Sequence, residues 1–500
     1  MKNLKYWLAV ALMGQASYSF AQYETDALRF SRTQFGGTAR TLGSGGANVA
    51  VGADLSNLVS NPAGLGLFQR SEFSFSPGLG LDQTRSRAFG NQTTDARNRL
   101  HVASLGAVFA NRRPDGDGSP WRGGSLAVGL TRINDFNTTF RYRGRPEVSQ
   151  DILQRLSEDR GLDLDDLAYE TFLTDVYTGR NGADSTGLSA PFRNTGRLDQ
   201  DETVVTTGSQ TQFDIGYGAS YLDKLYVGGS FGIVSVRYNS TSTLGATDPT
   251  PINNADPGTS FASLTLRDVL ETRGSGVNFK VGAIYRPNDV VRIGASVQTP
   301  TFMTLSETYS SSLKATFDKP VTVDGQSYSS ADAKTDPGQF DYVLTSPFRA
   351  SGGVAVVAGK YGFFSGDVEY VNYGQARLSN DSESTLGEYD FGPTNDAVRR
   401  LYQSAVNLRL GAEGRFDIFR VRAGYARYGD PYANSDFDRT QQYYTGGIGV
   451  RQKNAFFDLA GVYSKANRFY QPYTLADDSQ PRVQVEGSRF TTTVTLGLLF

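Results

Sequence analysis

Side chains able to perform acid–base or thiol chemistry are scarce in this chain. His101 is its only histidine, and the 500 residues include no cysteine. Without cysteine there are no disulfides, thiol nucleophiles, thiolate zinc sites or iron–sulfur clusters. A barrel phospholipase would need a serine activated by a histidine, but no recognisable serine signature accompanies His101. We therefore expect a plain strand residue at position 101 and a protein that is not an enzyme.

Oxygen ligands for a metal ion occur in two short acidic runs. Asp115 and Asp117 form one run, and Asp163, Asp165 and Asp166 form the other. Neither run has the spacing of an EF-hand loop, so turn formation and helix capping explain both better than calcium binding does. We expect no metal site and no cofactor.

The composition favours strands over helices and argues against a nucleic-acid partner. Apolar residues make up 38 % of the chain, while glycine, tyrosine and phenylalanine number 56, 27 and 31. The apolar share is below the typical value of about 45–50 %. Because 49 basic residues face 51 acidic ones, the chain lacks the basic excess that nucleic-acid binding requires.

The N-terminus has the features of a secretory signal peptide. Lys2 and Lys5 precede a short apolar run, and Ser19 and Ala21 offer the small residues that a signal peptidase recognises. We predict a signal peptide over residues 1–21 with cleavage before Gln22. No later stretch has the roughly 18 apolar residues of a spanning helix, so a membrane location would require a closed β-barrel.

Most of the chain after residue 71 alternates between apolar and polar side chains. Near the C-terminus Val494, Leu496 and Leu498 share one parity, and Thr493 and Thr495 share the other. Successive side chains of a strand point to opposite faces, so each strand has one apolar and one polar face. An apolar band facing lipid and a polar lumen explain this pattern with one architecture, a transmembrane antiparallel β-barrel.

The alternation predicts fourteen strands, an even number that places both termini on the same side of the membrane. We place the strands at 72–80, 101–110, 124–134, 211–221, 224–238, 277–285, 291–299, 348–358, 362–372, 404–414, 418–428, 442–451, 455–464 and 489–500. Short turns alternate with long segments, which we predict to be external loops: 135–210, 239–276, 300–347 and 373–403.

Residues 22–71 precede the first strand and are predicted to form a compact segment inside the barrel. Glycine allows tight folding in a narrow lumen, whereas no Walker or GxGxxG phosphate loop is present. A disordered leader is the alternative, and the glycine-rich part 36–46 is the predicted mobile element. The residues assigned to this segment are Gly43, Gly45, Gly46, Asn61, Pro62 and Ala63. The inward charges expected to hold it are Lys280, Arg292, Asp367, Glu369, Arg409, Arg420 and Arg422.

Loop 135–210 is predicted to contain two short amphipathic helices between Ser149 and Tyr177. Apolar residues there recur at helical spacing, and Ser149 and Asp163 are suitable N-caps. The apolar faces cover the barrel mouth, bind an apolar ligand, or do both. The residues predicted to collect such a ligand are Leu153, Leu156, Leu164, Leu167, Phe172 and Val176 in this loop, with Phe302 and Met303 in a later one.

Several short motifs occur in a characteristic order along the whole mature chain. They are Ala39–Ala47, Asn61–Leu65, Gly274–Pro287, Thr299–Phe302, Gly366–Tyr370 and Arg422–Tyr425. In this order the chain resembles the FadL/TodX/OmpP1 family of outer-membrane transport proteins for hydrophobic compounds, in the Bacteroidetes form sometimes labelled hemin receptors. The resemblance implies a fourteen-stranded barrel (72–500) closed by an N-terminal hatch (22–71), with external loops that capture apolar ligands.

The resemblance also sets the functional expectation. It implies passive uptake of hydrophobic small molecules such as long-chain fatty acids, with release past the hatch and sideways into the membrane. The expected partners are outer-membrane lipid and lipopolysaccharide, the hydrophobic ligand, and the barrel assembly machinery; the barrel is expected to be a monomer. Three alternatives stay open: a barrel accessory to protein secretion, haem uptake with His101, a tyrosine or a methionine as axial ligand, and a non-selective porin.

Overall fold

The computed structural model describes residues 20–114, 116–158, 163–178, 184–193, 195–250, 259–381 and 389–500. Nearly all of the predicted signal peptide lies outside these ranges, and so does Asp115. Among the described helices, none combines the length and the hydropathy required to cross a membrane.

Strands dominate the structure, and short helices lie in the N-terminal segment and in the long connections. The strands are β1 Glu72–Ala88, β2 Asn91–Arg112, β3 Trp121–Asp135, β4 Thr138–Gly144, β5 Thr174–Thr178, β6 Asp184–Leu188, β7 Asp199–Tyr221, β8 Leu225–Thr247, β9 Phe261–Tyr285, β10 Val291–Gln298, β11 Phe302–Val323, β12 Gln326–Lys334, β13 Gly338–Thr345, β14 Arg349–Val357, β15 Gly362–Asn372, β16 Arg377–Asn380, β17 Ser404–Phe416, β18 Phe419–Tyr428, β19 Gln441–Arg451, β20 Ala455–Tyr470 and β21 Val483–Leu499. The α-helices are α1 Phe20–Ser31, α2 Ala39–Gly43, α3 Ile152–Ser157, α4 Asp163–Glu170 and α5 Gly392–Leu401. Single 3-10 turns cover Leu55–Leu58, Pro62–Leu67, Val148–Gln150, Ala190–Phe192, Gly359–Tyr361 and Tyr373–Gln375.

All strands except the β5–β6 hairpin belong to one closed antiparallel sheet. The sheet closes because β1 pairs with β2 on one side and with β21 on the other. Four strands of the wall are interrupted by short bends, and their pieces are β3 with β4, β10 with β11, β12 to β14, and β15 with β16. Counted this way, the described residues form the predicted barrel of fourteen strands.

The two faces of the wall differ as the alternation predicts. In β17, Val406, Leu408 and Leu410 point outward and are exposed, whereas Asn407 and Arg409 point inward and are buried. Exposed aromatic residues add to the outer face. The apolar exterior and the polar, largely buried interior are the arrangement of a membrane barrel.

Two of the four predicted external loops are mostly strand, which corrects those assignments. Segments 239–276 and 300–347 contain large parts of β8, β9, β11, β12 and β13. β9 alone has 25 residues, and at about 3.4 Å per residue it extends far beyond an apolar band about 25 Å tall. In these extensions the apolar residues lie on the buried inner face, as at Leu264, Leu266 and Leu313, whereas Thr265, Arg267 and Lys314 face outward.

Loop 135–210 contains the two predicted helices, α3 and α4, together with the β5–β6 hairpin. Asp151, not Ser149, caps α3: its carboxylate accepts a hydrogen bond from the backbone N–H of Gln154 at 2.9 Å. Ser149 instead lies in the preceding 3-10 turn. The side chain of Asp163, the other predicted cap, lies outside the described residues.

Candidate functional site: the barrel interior

The N-terminal segment contacts inward-facing residues of strands on several sides of the barrel. Ser230 Oγ of β8 donates to Leu58 O at 2.9 Å, and Thr445 Oγ1 of β19 donates to Gly43 O at 3.0 Å. The N–H of Ala39 donates to Thr495 Oγ1 of β21 at 2.7 Å. Because β8, β19 and β21 lie on different parts of the wall, the segment lies inside the barrel.

Glycines on both the segment and the wall let the two backbones approach closely. Gly218 of β7 faces inward, and a Cβ placed there would lie 2.7 Å from Pro62 O and from Gly66 N. Gly45 has a φ of +66°, and a Cβ on it would lie 2.6 Å from Leu410 O of β17. These are backbone atoms, which cannot turn aside as a side chain can, so a larger residue would push the segment away from the wall.

The Asn61-Pro62-Ala63 sequence begins the 3-10 turn Pro62–Leu67 and fastens it to the wall. The Asn61 side chain caps the turn by accepting from the N–H of Ala63 at 3.1 Å. Its amide donates to Val49 O at 2.7 Å and to Ala283 O of β9 at 3.2 Å. One asparagine therefore joins two parts of the segment to a barrel strand.

The segment has its own buried polar centre at Asp54. Its carboxylate accepts hydrogen bonds from the hydroxyls of Thr38 and Thr41 and from the N–H of Ser56. Arg40 lies beside it and forms an ion pair with Glu413 of β17 at 3.5 Å. Asp54 was not among the predicted residues, although its position before a short apolar turn is typical of a capping residue.

Three of the predicted lumen charges contact the segment directly. Lys280 donates to Val59 O, Arg292 donates to Val51 O at 2.6 Å, and Asp367 accepts from the N–H of Val49 at 2.9 Å.

The other predicted lumen charges bind wall residues instead. Arg409 pairs with Glu369 at 3.0 Å, and Arg422 pairs with Glu413 of the wall at 2.8 Å. The hydrogen bonds described for Arg420 go to the backbone of its own turn. These contacts differ from the expectation that Arg420 holds the N-terminal segment, because residue 420 lies too close to the end of the barrel.

Helix α1 lies against an apolar, aromatic-rich surface of the inner wall, which we call the lumen cluster. The ring of Tyr23 lies 5.2 Å from that of Phe340, and the ring of Phe30 lies 5.7 Å from that of Phe136. The buried wall residues of the lumen cluster are Ile133, Val234, Val236, Tyr238, Met303, Leu305, Tyr342, Leu344, Val371, Tyr373, Ala376, Leu378, Tyr402 and Ala405. This surface lies inside a lumen that is otherwise lined mainly by polar residues.

A small polar group anchors α1 within the lumen cluster. The hydroxyl of Tyr342 donates to Glu307 at 2.9 Å and lies 3.2 Å from the carboxylate of Asp26. Arg29 forms an ion pair with Asp26 and lies 4.2 Å from the ring centre of Tyr238. Both charges of that ion pair are on α1, so they would move with the helix.

The predicted ligand residues fall into three separate places: the lumen cluster, the outer face of the barrel and the external loop helices. Met303 is 1 % exposed and belongs to the lumen cluster, whereas its neighbour Phe302 is 53 % exposed on the outer face. The predicted pocket joining both residues to the loop helices is therefore not formed, because adjacent strand residues point to opposite faces.

The loop helices pack on the extended external strands. Leu153, Leu156 and Leu167 are buried there, in what we call the loop cluster, against Leu244, Phe261, Leu264, Leu313 and Phe317. Leu164 and Phe172 are partly buried at its edge, and Val176 is 51 % exposed. Burial also acts on the cap of α3: it raises the pKa of Asp151 to about 6.

A cavity of about 80 Å³ lies between α1, the rest of the segment and the wall. Phe30 and Met303 line one part of it, and Lys280, Arg349 and Arg409 line another. Since one water needs about 10–15 Å³ by this measure, the cavity has room for several waters. A long alkyl chain would fit only if α1 moved.

The wall is interrupted between β2 and β4. The β2–β3 ladder ends at Ser104 opposite Thr131, and the pairing described for β4 is with β7. Side chains of β2 bridge the break instead of a ladder: Asn91 Nδ2 donates to Arg143 O at 3.4 Å, and Thr93 Oγ1 donates to Arg141 O at 2.6 Å. Arg97 also donates to the side chain of Thr139. We call this break, between residues 91–103 of β2 and strand β4, the wall gap.

The bend that produces the wall gap has a cause in the sequence. The register shifts between Arg132 and Asn134, and the chain turns before β4 begins. Asn134, Asp135 and Asn137 all favour turns, because their side chains hydrogen-bond to nearby backbone groups. The carboxylate of Asp135 indeed accepts from the N–H of Asn137 at 2.9 Å. The predicted strand 124–134 ended at this bend, but strand β4 beyond it had been assigned to the external loop.

Comparison with known proteins supports the fold. No family model matches the chain, and no curated protein matches it. Solved structures do match over nearly their whole length. The toluene transporter TodX of P. putida is 14 % identical, with 93 % of this chain and 99 % of that chain covered and a TM-score of 0.52. A FadL homologue of Pseudomonas aeruginosa is 12 % identical, with coverages of 94 % and 99 % and a TM-score of 0.52. The toluene transporter TbuX of Ralstonia pickettii is 16 % identical, with coverages of 93 % and 99 % and a TM-score of 0.50.

Proposed function

Because the chain has the fold of the FadL and TodX transporters, we propose that it is an outer-membrane channel for passive uptake of hydrophobic small molecules. Long-chain fatty acids are the first ligand class that we propose. The observation that carries the proposal is the lumen cluster, an apolar surface inside a polar lumen. Burial of an alkyl chain contributes about 0.8 kcal/mol per CH₂, so such a surface binds apolar ligands without specific polar contacts.

The proposed route leaves the barrel sideways. A ligand captured at the external end reaches the lumen cluster and passes through the wall gap into the bilayer. Two features support this exit: the missing β2–β4 ladder and the apolar outer edge of β2, where Leu100 is 86 % exposed and Val102 also points outward. A lateral exit keeps an apolar molecule away from the polar lower lumen.

In this proposal residues 22–71 act as a hatch, and α1 is its moving part. The glycine-rich part 36–46, which the sequence suggested as mobile, is held by wall contacts at Ala39, Gly43 and Gly45. Helix α1 instead covers the lumen cluster, and its displacement would expose that apolar surface to a ligand.

Biogenesis and surroundings follow from the same proposal. Signal peptidase cleaves before Gln22, and the barrel assembly machinery recognises the terminal Phe500. The barrel functions as a monomer in outer-membrane lipid and lipopolysaccharide. Toluene-like hydrocarbons are the second ligand class, because TodX and TbuX are described as toluene transporters and aromatic rings line the lumen cluster.

The test is uptake of a labelled long-chain fatty acid, with toluene in parallel, by cells with and without this protein. A Thr93→Cys/Arg141→Cys pair would bridge the wall gap, since the two positions are in contact and the chain has no cysteine of its own. We expect uptake to fall in the oxidised variant and to return after reduction, with each single variant as control.

Each negative outcome has its own meaning. Equal uptake with and without the protein would reject the channel and favour the secretion-accessory alternative. Equal uptake by the oxidised and the reduced double-cysteine variant would reject lateral release but not the channel itself. Free passage of small sugars into liposomes would identify a non-selective porin.

A further inference from the structure

Four arginines and two aspartates meet on the inner wall beside the wall gap, and we call this group the basic cluster. Arg489 of β21 pairs with Asp82 of β1, and it also reaches Asp135 of β3 at 3.0 Å. Arg132 pairs with the same Asp135 at 2.9 Å. Arg97 and Arg99 of β2 are the other two arginines, and Arg99 Nη2 donates to Thr206 O of β7 at 3.5 Å. The charges of Asp82, Asp135 and Arg489 are near enough to act on Arg99.

The basic cluster borders the wall gap on its inner side. Arg489 Nη2 donates to Asn137 O, in the bend before β4, at 2.6 Å. Arg97 Nη1 donates to Thr139 Oγ1 of β4 at 3.2 Å. A molecule moving from the lumen into the wall gap would pass these guanidinium groups.

The charges of the basic cluster do not balance. Four guanidinium groups face the carboxylates of Asp82 and Asp135, an excess of two positive charges. Asp95, further along the inner face of β2, reduces the excess to one. The cluster therefore attracts an anion.

Two buried donors of the basic cluster have no hydrogen-bond partner within the described part of the chain. They are Nε of Arg99 and Nε of Arg132. An unpaired buried donor is unfavourable because it has lost its hydrogen bonds to water, and a charged one is more so. A carboxylate would satisfy such donors and the surplus charge together, and guanidinium groups match its geometry.

We propose that the basic cluster binds the carboxylate of an amphipathic acid at the inner mouth of the wall gap. The inference rests on the proposed function and makes it more specific: the ligand is an alkyl carboxylate, with its chain directed to apolar surface. A hydrocarbon or an alcohol would use the same route without this contact. Arg99 and Arg97 have no carboxylate ion pair in the described contacts, and Arg99 is the specificity-determining residue because its buried Nε also lacks a hydrogen-bond partner there.

A cluster that only braces the bend would explain the contacts of Arg489, which reaches both strands next to the bend. It would not explain the surplus positive charge or the unpaired donors of Arg99 and Arg132. The two explanations differ in what happens when Arg99 is neutralised. If the cluster only braces the bend, neutralising Arg99 should weaken the binding of every ligand equally. If it binds a carboxylate, only the binding of acids should weaken.

The experiment compares Arg99→Gln with wild type in binding labelled dodecanoate and dodecanol, using the full mature barrel in outer-membrane vesicles. Arg399→Gln on α5 is the matched control, because Arg399 is about half exposed outside the lumen and the charge change is the same. Loss of a charge-assisted hydrogen bond predicts about tenfold weaker dodecanoate binding. Dodecanol binding should not change, and the control should match wild type for both ligands.

The outcomes separate this inference from the proposed function. Wild-type protein that binds neither ligand would reject the proposed function. Wild-type protein that binds both, with Arg99→Gln weakening neither or weakening both equally, would reject the carboxylate site alone. Arg132→Gln is the second variant: it must also weaken dodecanoate more than dodecanol, and an equal loss of both would overturn the proposal. Heat-modifiable migration shows that each variant is folded.

Discussion

The contact between the N-terminal segment and the wall depends on glycine at position 218. A Cβ there would lie 2.7 Å from Pro62 O and Gly66 N, whereas ordinary contact begins at 3.4 Å. Gly218→Ala therefore requires a displacement of about 0.7 Å (3.4 − 2.7), and the atoms in the way are backbone. Overpacking of this kind costs about 1–3 kcal/mol. We expect the barrel to stay folded while the Pro62–Leu67 turn moves off the wall.

The assay is limited proteolysis of residues 22–71, together with small-solute leakage into liposomes. Gly218→Ala should increase both, and heat-modifiable migration should show an intact barrel. Gly352→Ala is the matched control, because a Cβ there meets nothing within 4 Å. If Gly218→Ala resists proteolysis and leakage as well as the control does, the close approach places no constraint on the segment and glycine is not required at position 218.

Three further perturbations test other parts of the structure. Val281→Arg, on the outer face where Val281 is 47 % exposed, should destabilise the barrel by about 2–4 kcal/mol in lipid if it lies near the midplane; urea titration would measure this. The Asp151 carboxyl has a pKa of about 6 when folded and about 3.9 when unfolded. The folded loop therefore binds more protons, and its protection from hydrogen exchange should fall as pH rises from about 4 to 6. Asp151→Asn, which keeps the cap, should remove that dependence. Deletion of Phe500 should lower the amount of heat-modifiable barrel; an unchanged amount would contradict its role in assembly.

The amino-acid pattern determined the wall of this barrel. Where a strand is apolar outside and polar inside, as at Val406 to Arg409, the period of two follows from the two environments, and all fourteen strands were found that way. Beyond the membrane, the continuations of β9 and β11 were assigned to loops, because their apolar residues, such as Leu264 and Leu313, lie on the inner face instead of the outer one. The predicted strand 124–134 did end at the bend, but β4 and the wall gap were missed, because pairing between strands cannot be read from one strand alone.

Tertiary structure decided which predicted residues meet. The sequence places Met303 and Leu153 in one apolar class, but the fold puts Met303 in the lumen cluster and Leu153 in the loop cluster. Phe302 and Met303 are neighbours in β11, so they point to opposite faces of the wall. Which of the two faces the lumen is known only from the register of β11. The basic cluster is the clearest case of residues that only the tertiary structure brings together. Arg99 and Arg489 are 390 positions apart in the chain, and only closure of the barrel between β1 and β21 brings their charges together.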